Sequence, residues 1–132
     1  MIGLDTNLVV RLLVDDDPEQ RKIARTFIAR TCTPDEPGYI NHIVLVETAW
    51  VLESAYAFGR KEIAAAIEGI MNVEEFSIEG PDLVRSALRA SNGGADFSDA
   101  LLGAVNASAR CKRTVTFDRA AASKIEGFDL VR

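Results

Sequence analysis

Histidine and cysteine are almost missing from this chain. Its 132 residues include one histidine, His42, and two cysteines, Cys32 and Cys111. Two isolated thiols cannot build a disulfide framework, and they do not have the spacing of a zinc site. Both read as reduced thiols, and His42 reads as a residue at a helix start rather than a ligand or general base. No apolar run approaches the roughly 20 residues that a membrane-spanning helix needs. No basic stretch precedes the first apolar run, and Asp5 interrupts that run early. A signal peptide is therefore not expected, and a cytoplasmic location without membrane attachment is. There is no Gly-rich phosphate loop, internal repeat, linker or low-complexity segment. Positive charge is also short: 15 Lys and Arg face 20 Asp and Glu, for a net charge of -5. That disfavours a protein that grips nucleic acid by bulk positive field. It does not exclude nucleic acid, because an acidic cleft filled by divalent cations presents positive charge locally.

What is present is an ordinary globular composition, 48% hydrophobic and 27% charged, in a length that suits one domain, 1–132, with a full core. The first residues, Met1-Ile2-Gly3-Leu4, form a short apolar run that climbs to Asp5, with Thr6 and Asn7 behind it. This predicts a strand ending at Asp5 and a helix starting near Asn7, a good cap residue. Asp15-Asp16-Asp17-Pro18 is a break and a solvated helix end, followed by an amphipathic helix carrying Ile23, Ala24, Phe27 and Ile28. After the loop Thr33–Gly38, a short strand at Tyr39-Ile40 leads to a helix from about His42 to Ala57, capped by Asn41. This helix is apolar enough to be buried on most sides, with Gly59 closing it. Trp50, Phe97 and Phe117 read as core. Further helices are expected over Arg60–Met71, Pro81–Ser91, about Asp96–Val105 and Arg119–Lys124, and strands over Phe76–Ile78, Arg113–Phe117 and Phe128–Val131. Strands alternating with helices imply an α/β fold, with a mostly parallel sheet covered on both faces.

The chemistry lies in the acids. Asp5 and Asp118 each follow a strand, where ligands sit in open parallel sheets. Glu47 lies within the apolar helix, where a buried carboxylate is costly unless paired or bound to a metal. Trp50 and Ser54 share its side of the helix. Asp96 and Asp99 share one side of the first turn of another apolar helix; the helix dipole alone accounts well for Asp96 and less well for Asp99. Carboxylates gathered in one pocket repel each other unless cations are present. Oxygen ligands of this kind suit Mg²⁺, with Mn²⁺ as a substitute. Such ions can activate water and stabilise the leaving oxygen of a phosphodiester.

In order and wording the chain resembles the PIN-domain ribonucleases, and specifically the VapC-type toxins of bacterial and archaeal toxin–antitoxin pairs. The resemblance rests on Asp5-Thr6-Asn7, on Val44–Leu52 around Glu47, on Ala95-Asp96-Phe97-Ser98-Asp99-Ala100-Leu101, and on Thr114-Val115-Thr116-Phe117-Asp118, and it covers essentially the whole chain. It implies a single PIN domain over 1–132: a three-layer α/β/α sandwich with a mostly parallel central sheet of about four to five strands. It implies an acidic quartet, Asp5, Glu47, Asp99 and Asp118, as the catalytic, Mg²⁺-holding set of an endoribonuclease. Asp96 matches an additional acid found in part of the family, and Asn7 and Thr116 match small polar positions that support the site. The resemblance also implies an RNA substrate, a VapB-like antitoxin that neutralises the enzyme, and a homodimer. Arg119 is a candidate contact for an RNA phosphate; Arg110, Lys112 and Arg113 are others. Two rival enzyme readings are weaker. A HAD-like phosphotransferase wants a second Asp where Asn7 stands, and a receiver domain has no use for Glu47 within an apolar helix. The non-catalytic alternative is a PIN module that binds RNA or an antitoxin without cutting.

Overall fold

Five of the seven helices begin on a side chain that accepts a hydrogen bond from their own first turn: Asp5, Asp17, Asn41, Asp96 and Asp118. The computed structural model describes all residues from Met1 to Arg132. It contains β1 (Ile2–Gly3), α1 (Thr6–Leu13), α2 (Pro18–Thr31), β2 (Gly38–Ile40), α3 (His42–Tyr56), α4 (Arg60–Met71), β3 (Phe76–Ile78), α5 (Pro81–Asn92), α6 (Phe97–Ser108), β4 (Thr114–Thr116), α7 (Arg119–Lys124) and β5 (Phe128–Leu130). All strand pairings are parallel, and they fall into two ladders, β1-β2-β3 and β4-β5. Parallel neighbours need long crossovers. Here one or two helices fill each, giving the α/β/α sandwich that the alternation of strand and helix patterns implies.

The core forms where the helices face one another and the strands. Ile40, Leu45, Leu52, Ile67, Leu101, Val9 and Val84 are almost fully buried within one continuous cluster. Gly103 of α6 marks its tightest point, because a Cβ there would overlap the ring of Phe128 in β5. That absence of a side chain lets α6 settle against the end of the second ladder.

Three expectations change. The cap of α1 is Asp5, which accepts from the Leu8 N–H at 3.0 Å, so Asn7 already lies within the helix. Helix α3 ends on Ala57 in the left-handed conformation (φ 57°), and Gly59 instead caps α4, with the Glu62 carboxylate returning to its N–H at 3.0 Å. Finally, α3 is buried along one face, not on most sides. Val44, Leu45, Thr48, Ala49 and Leu52 face inward, while Ile43 and Trp50 lie on the surface, Trp50 at 66% exposure. The helix has more apolar residues than one face can present to the core. Phe97 is core at 2% exposure, whereas Phe117, just beyond β4, is 85% exposed.

The Gly103 contact gives a direct test. Gly103→Ala is expected to cost about 1–3 kcal/mol through overpacking. In chemical denaturation, adding Phe128→Leu should recover part of that loss; simple additivity of the two changes would show that the ring is not the obstacle.

Candidate active site

Each acid singled out in the sequence has a defined place. Asp5 leaves β1 in extended conformation and turns directly into α1. One of its carboxylate oxygens is committed to the Leu8 N–H; the side chain is exposed and makes no other protein hydrogen bond. Asp118 repeats the arrangement after β4. It accepts from the Ala121 N–H at 3.0 Å and caps α7. Its own N–H donates to Thr116 Oγ1 at 3.0 Å, so Thr116 sets the turn on which Asp118 sits. Asp96 caps α6 through the Asp99 N–H at 2.9 Å. All three carboxylates therefore satisfy an otherwise free N–H at the start of a helix.

Asp99 differs. It lies in the first turn of α6, half-buried, with no capping role. Burial raises its carboxyl pKa, the charges of Asp96 and Asp118 raise it further, and Arg60 opposes them. Desolvation and like charge both act against the ionised form here, and this electrostatic coupling puts Asp96, Asp99 and Asp118 in one neighbourhood.

Glu47 is exposed on α3, so the cost of burying it does not arise. It is held in place: the Thr6 hydroxyl donates to its Oε1 at 2.9 Å across 41 residues of sequence. Thr6 follows Asp5, so this bond joins the first strand end to α3. A longer contact, Ser98 Oγ to the Val46 carbonyl at 3.5 Å, joins α3 to the start of α6. The four acids thus follow one another along a rim, from Asp5 through Thr6 to Glu47, then through Val46 and Ser98 to Asp99, and on to Asp118.

The rim is open. No three Asp, Glu, His or Cys side chains stand close enough together to hold a metal ion jointly. The donor chemistry nevertheless fits a hard divalent cation: the groups are all carboxylate oxygens, and at Asp99 they repel one another in a way that such a cation would offset.

Thr6, Ser98 and Arg60 were not identified from sequence. Thr6 stood in plain view between Asp5 and Asn7, but nothing local tied it to Glu47. Asn7 is exposed, forms no side-chain hydrogen bond and lines a shallow groove with Leu8, Arg11 and Phe27 between α1 and α2. Arg119 is exposed and unpaired beside Asp118, while Arg113 is engaged by Asp129 at 3.4 Å. His42 opens α3, its backbone N–H bonded to Glu79 at 2.8 Å. The three acids before α2 are structural: Asp17 caps it, Asp16 accepts from the Tyr56 hydroxyl at 2.6 Å, and Asp15 faces Arg21 at 3.3 Å. Cys32 is buried and Cys111 exposed, both free. No helix is long and apolar enough to cross a membrane.

The raised Asp99 pKa has a sign that can be checked. Between the usual aspartate pKa and the raised one, the native protein holds a proton that the unfolded chain has released. Stability therefore falls as pH rises through that window and stays lower above it. Without divalent cations at pH 7.5, Asp99→Asn should melt higher than the parent, by on the order of 2 °C. The difference should vanish below the usual aspartate range; a gain independent of pH would have another cause.

The family model for the PIN domain matches residues 2–126. The chain is also similar to a VapC ribonuclease of Aquifex aeolicus (strain VF5), at 26% identity over 117 residues, covering 88% of this chain and 86% of that protein.

Proposed function

Because this chain belongs to the PIN-domain family, we propose that it is a metal-dependent endoribonuclease, the toxin of a type II toxin–antitoxin pair. The observation that carries this reading is the rim of acids: Asp5 and Asp118 fixed as helix caps, Glu47 bound by Thr6, and Asp99 half-buried beside Asp96 and Asp118. The similarity to a VapC ribonuclease supports RNA as the substrate.

Asp5, Glu47, Asp99 and Asp118 would hold Mg²⁺, with Mn²⁺ as a substitute and Asp96 as a further oxygen donor. Once bound, the cation would supply Lewis-acid stabilisation of the phosphodiester and a lowered water pKa. The chain's own groups do the rest. Glu47, with Oε1 held by Thr6, leaves Oε2 to accept the proton of the attacking water. The new P–O bond forms as the bond to the leaving ribose oxygen breaks. Thr116 and the two caps keep the carboxylates in place without rearrangement, and Arg119 would meet a phosphate oxygen.

We also propose a VapB-like antitoxin, a cytoplasmic location and a homodimer. The homodimer draws support from an apolar groove of about 280 Å³ between α3 and α6, lined by Ile43, Val46, Leu102 and Val105 and reaching Glu47, so that a second copy there would stand beside the acids. A second copy covering it would remove exposed apolar surface from water. The competing reading is a PIN module that binds RNA or antitoxin without cutting, and the open spacing of the acids favours it.

Purified protein, free of antitoxin, should cut a mixed cellular RNA pool with Mg²⁺ or Mn²⁺ and not with EDTA. Asp5→Asn, which keeps the cap but loses the charge, should slow cutting by on the order of 10²-fold or more. RNA left intact by both metals, with folded wild-type protein, would favour the binding module. Excess Mg²⁺ should raise the melting temperature of wild type more than that of Asp99→Asn, by mass action on the native state. Thr6→Val should cut about tenfold more slowly through misplacement of Glu47, while Thr6→Ser stays near wild type; equal rates for Val and Ser would remove Thr6 from the mechanism.

A further inference from the structure

Two side chains flank the acids without being explained by the fold. Phe117 immediately precedes Asp118 and is 85% exposed, more than any other large hydrophobic residue of the chain. Its neighbours Thr116 and Asp118 are fixed to one another by the Asp118 N–H to Thr116 Oγ1 bond, so the ring projects from an ordered turn. An aromatic ring left in water on rigid backbone, beside a catalytic acid, adds nothing to the core.

The second is Arg60, the first residue of α4, whose charge acts on Asp99. Its Nη1 donates to the carbonyl of Gly94, two residues before Asp96. That single bond fixes the guanidinium over the loop leading into α6 and leaves Nε and Nη2 without a protein acceptor. Arg60 forms no ion pair, unlike Arg11, Arg21, Arg85 and Arg113, which are each bound to a carboxylate. Lys124, also unpaired, lies against the same loop, its Nζ 3.6 Å from where a Cβ on Gly94 would stand. In a chain of net charge -5, unpaired cations beside an acidic rim are the places where a polyanion can be held.

We propose that Phe117 and Arg60 form a two-point grip on single-stranded RNA, with a base stacked on Phe117 and a flanking phosphate on Arg60, so that the strand crosses the acids between them. This deepens the ribonuclease reading and rests on it. Single-stranded nucleic acid is commonly held in this way, by aromatic faces that stack bases and cations that follow the backbone. A duplex could not use the Phe117 half of the grip, because its bases are stacked on one another. Arg60 lies beyond ion-pair distance of every carboxylate and so suits a phosphate next to the scissile one. It binds substrate and transition state alike, and its loss should act on KM more than on kcat.

The two contacts have different signatures in an equilibrium titration of a fluorescein-labelled, mixed-sequence single-stranded RNA. Asp5→Asn protein prevents cutting, and wild type in EDTA serves as its companion. Phe117→Ala should weaken binding about fivefold or more with the salt dependence unchanged, and Phe117→Trp should restore it. Arg60→Ala should weaken binding and lower the slope of log affinity against log salt by about 0.7, the contribution of one phosphate on a single strand; Arg60→Lys should restore the slope. Lys22→Ala, on the exposed side of α2, controls for the loss of one charge. With the same RNA annealed to its complement, Phe117→Ala should have no effect. If neither Asp5→Asn nor wild type binds RNA, the ribonuclease reading and this inference fall together. If they bind, but Phe117→Ala and Arg60→Ala behave like Lys22→Ala, the grip is wrong and the ribonuclease reading stands.

Discussion

The bond between a carboxylate and the first turn of its own helix is the interaction on which the rest of this molecule depends. Asp5, Asp96 and Asp118 each accept a backbone N–H three residues on, from Leu8, Asp99 and Ala121. The bond starts the helix where the preceding strand or turn ends. It also ties the acid to the backbone at the start of that helix. Folding and chemistry thus call for the same residue in the same conformation. One oxygen accepts the backbone N–H, and that bond restrains the carboxylate before any ligand arrives.

Asp99 and Glu47 show the two ways of departing from that pattern. Asp99 has no cap to make and is half-buried beside two other acids, which leaves its charge uncompensated. Glu47 is held from outside its own element, by a hydroxyl that arrives with the first helix. The rim therefore combines preorganised members with one under electrostatic tension, and that tension is what a cation would relieve. Its location at helix starts follows from parallel topology, in which strand ends and the helix starts that follow them share one side of the sheet.

Much of this was legible in the sequence. Strand and helix order followed from periodicity, and α4, β3 and α7 have the limits that the pattern predicted, because each lies between clear breakers. Boundaries slipped where two residues could do one job. Asp5 and Asn7 are both cap formers, and the choice between them depends on where the strand releases the chain. Ala57 and Gly59 both stand near a helix end, and a non-glycine residue took the left-handed position. The surface aromatics were misread for a different reason. Composition tells that a segment is apolar, not which of its side chains meet the core, so Trp50 on α3 and Phe117 just beyond β4 looked like core. The acids could be picked out from their positions, but the Thr6–Glu47 bond and the approach of Arg60 to Gly94 could not. Both are made between elements far apart in sequence, and only the folded topology brings them together.

The parallel ladders have a consequence for how the molecule comes into being. β1 has no partner until β2 exists, 35 or more residues later, and β4 must wait for β5, so no strand pair can form as a local hairpin. The rim inherits that order: its members are spread from Asp5 to Asp118, far apart along the chain. On a ribosome adding about 5–20 residues per second, Asp5 and Glu47 would emerge seconds before Asp118 can join them. The acids can therefore stand together only once the chain has been made as far as Asp118, however early the first of them appears.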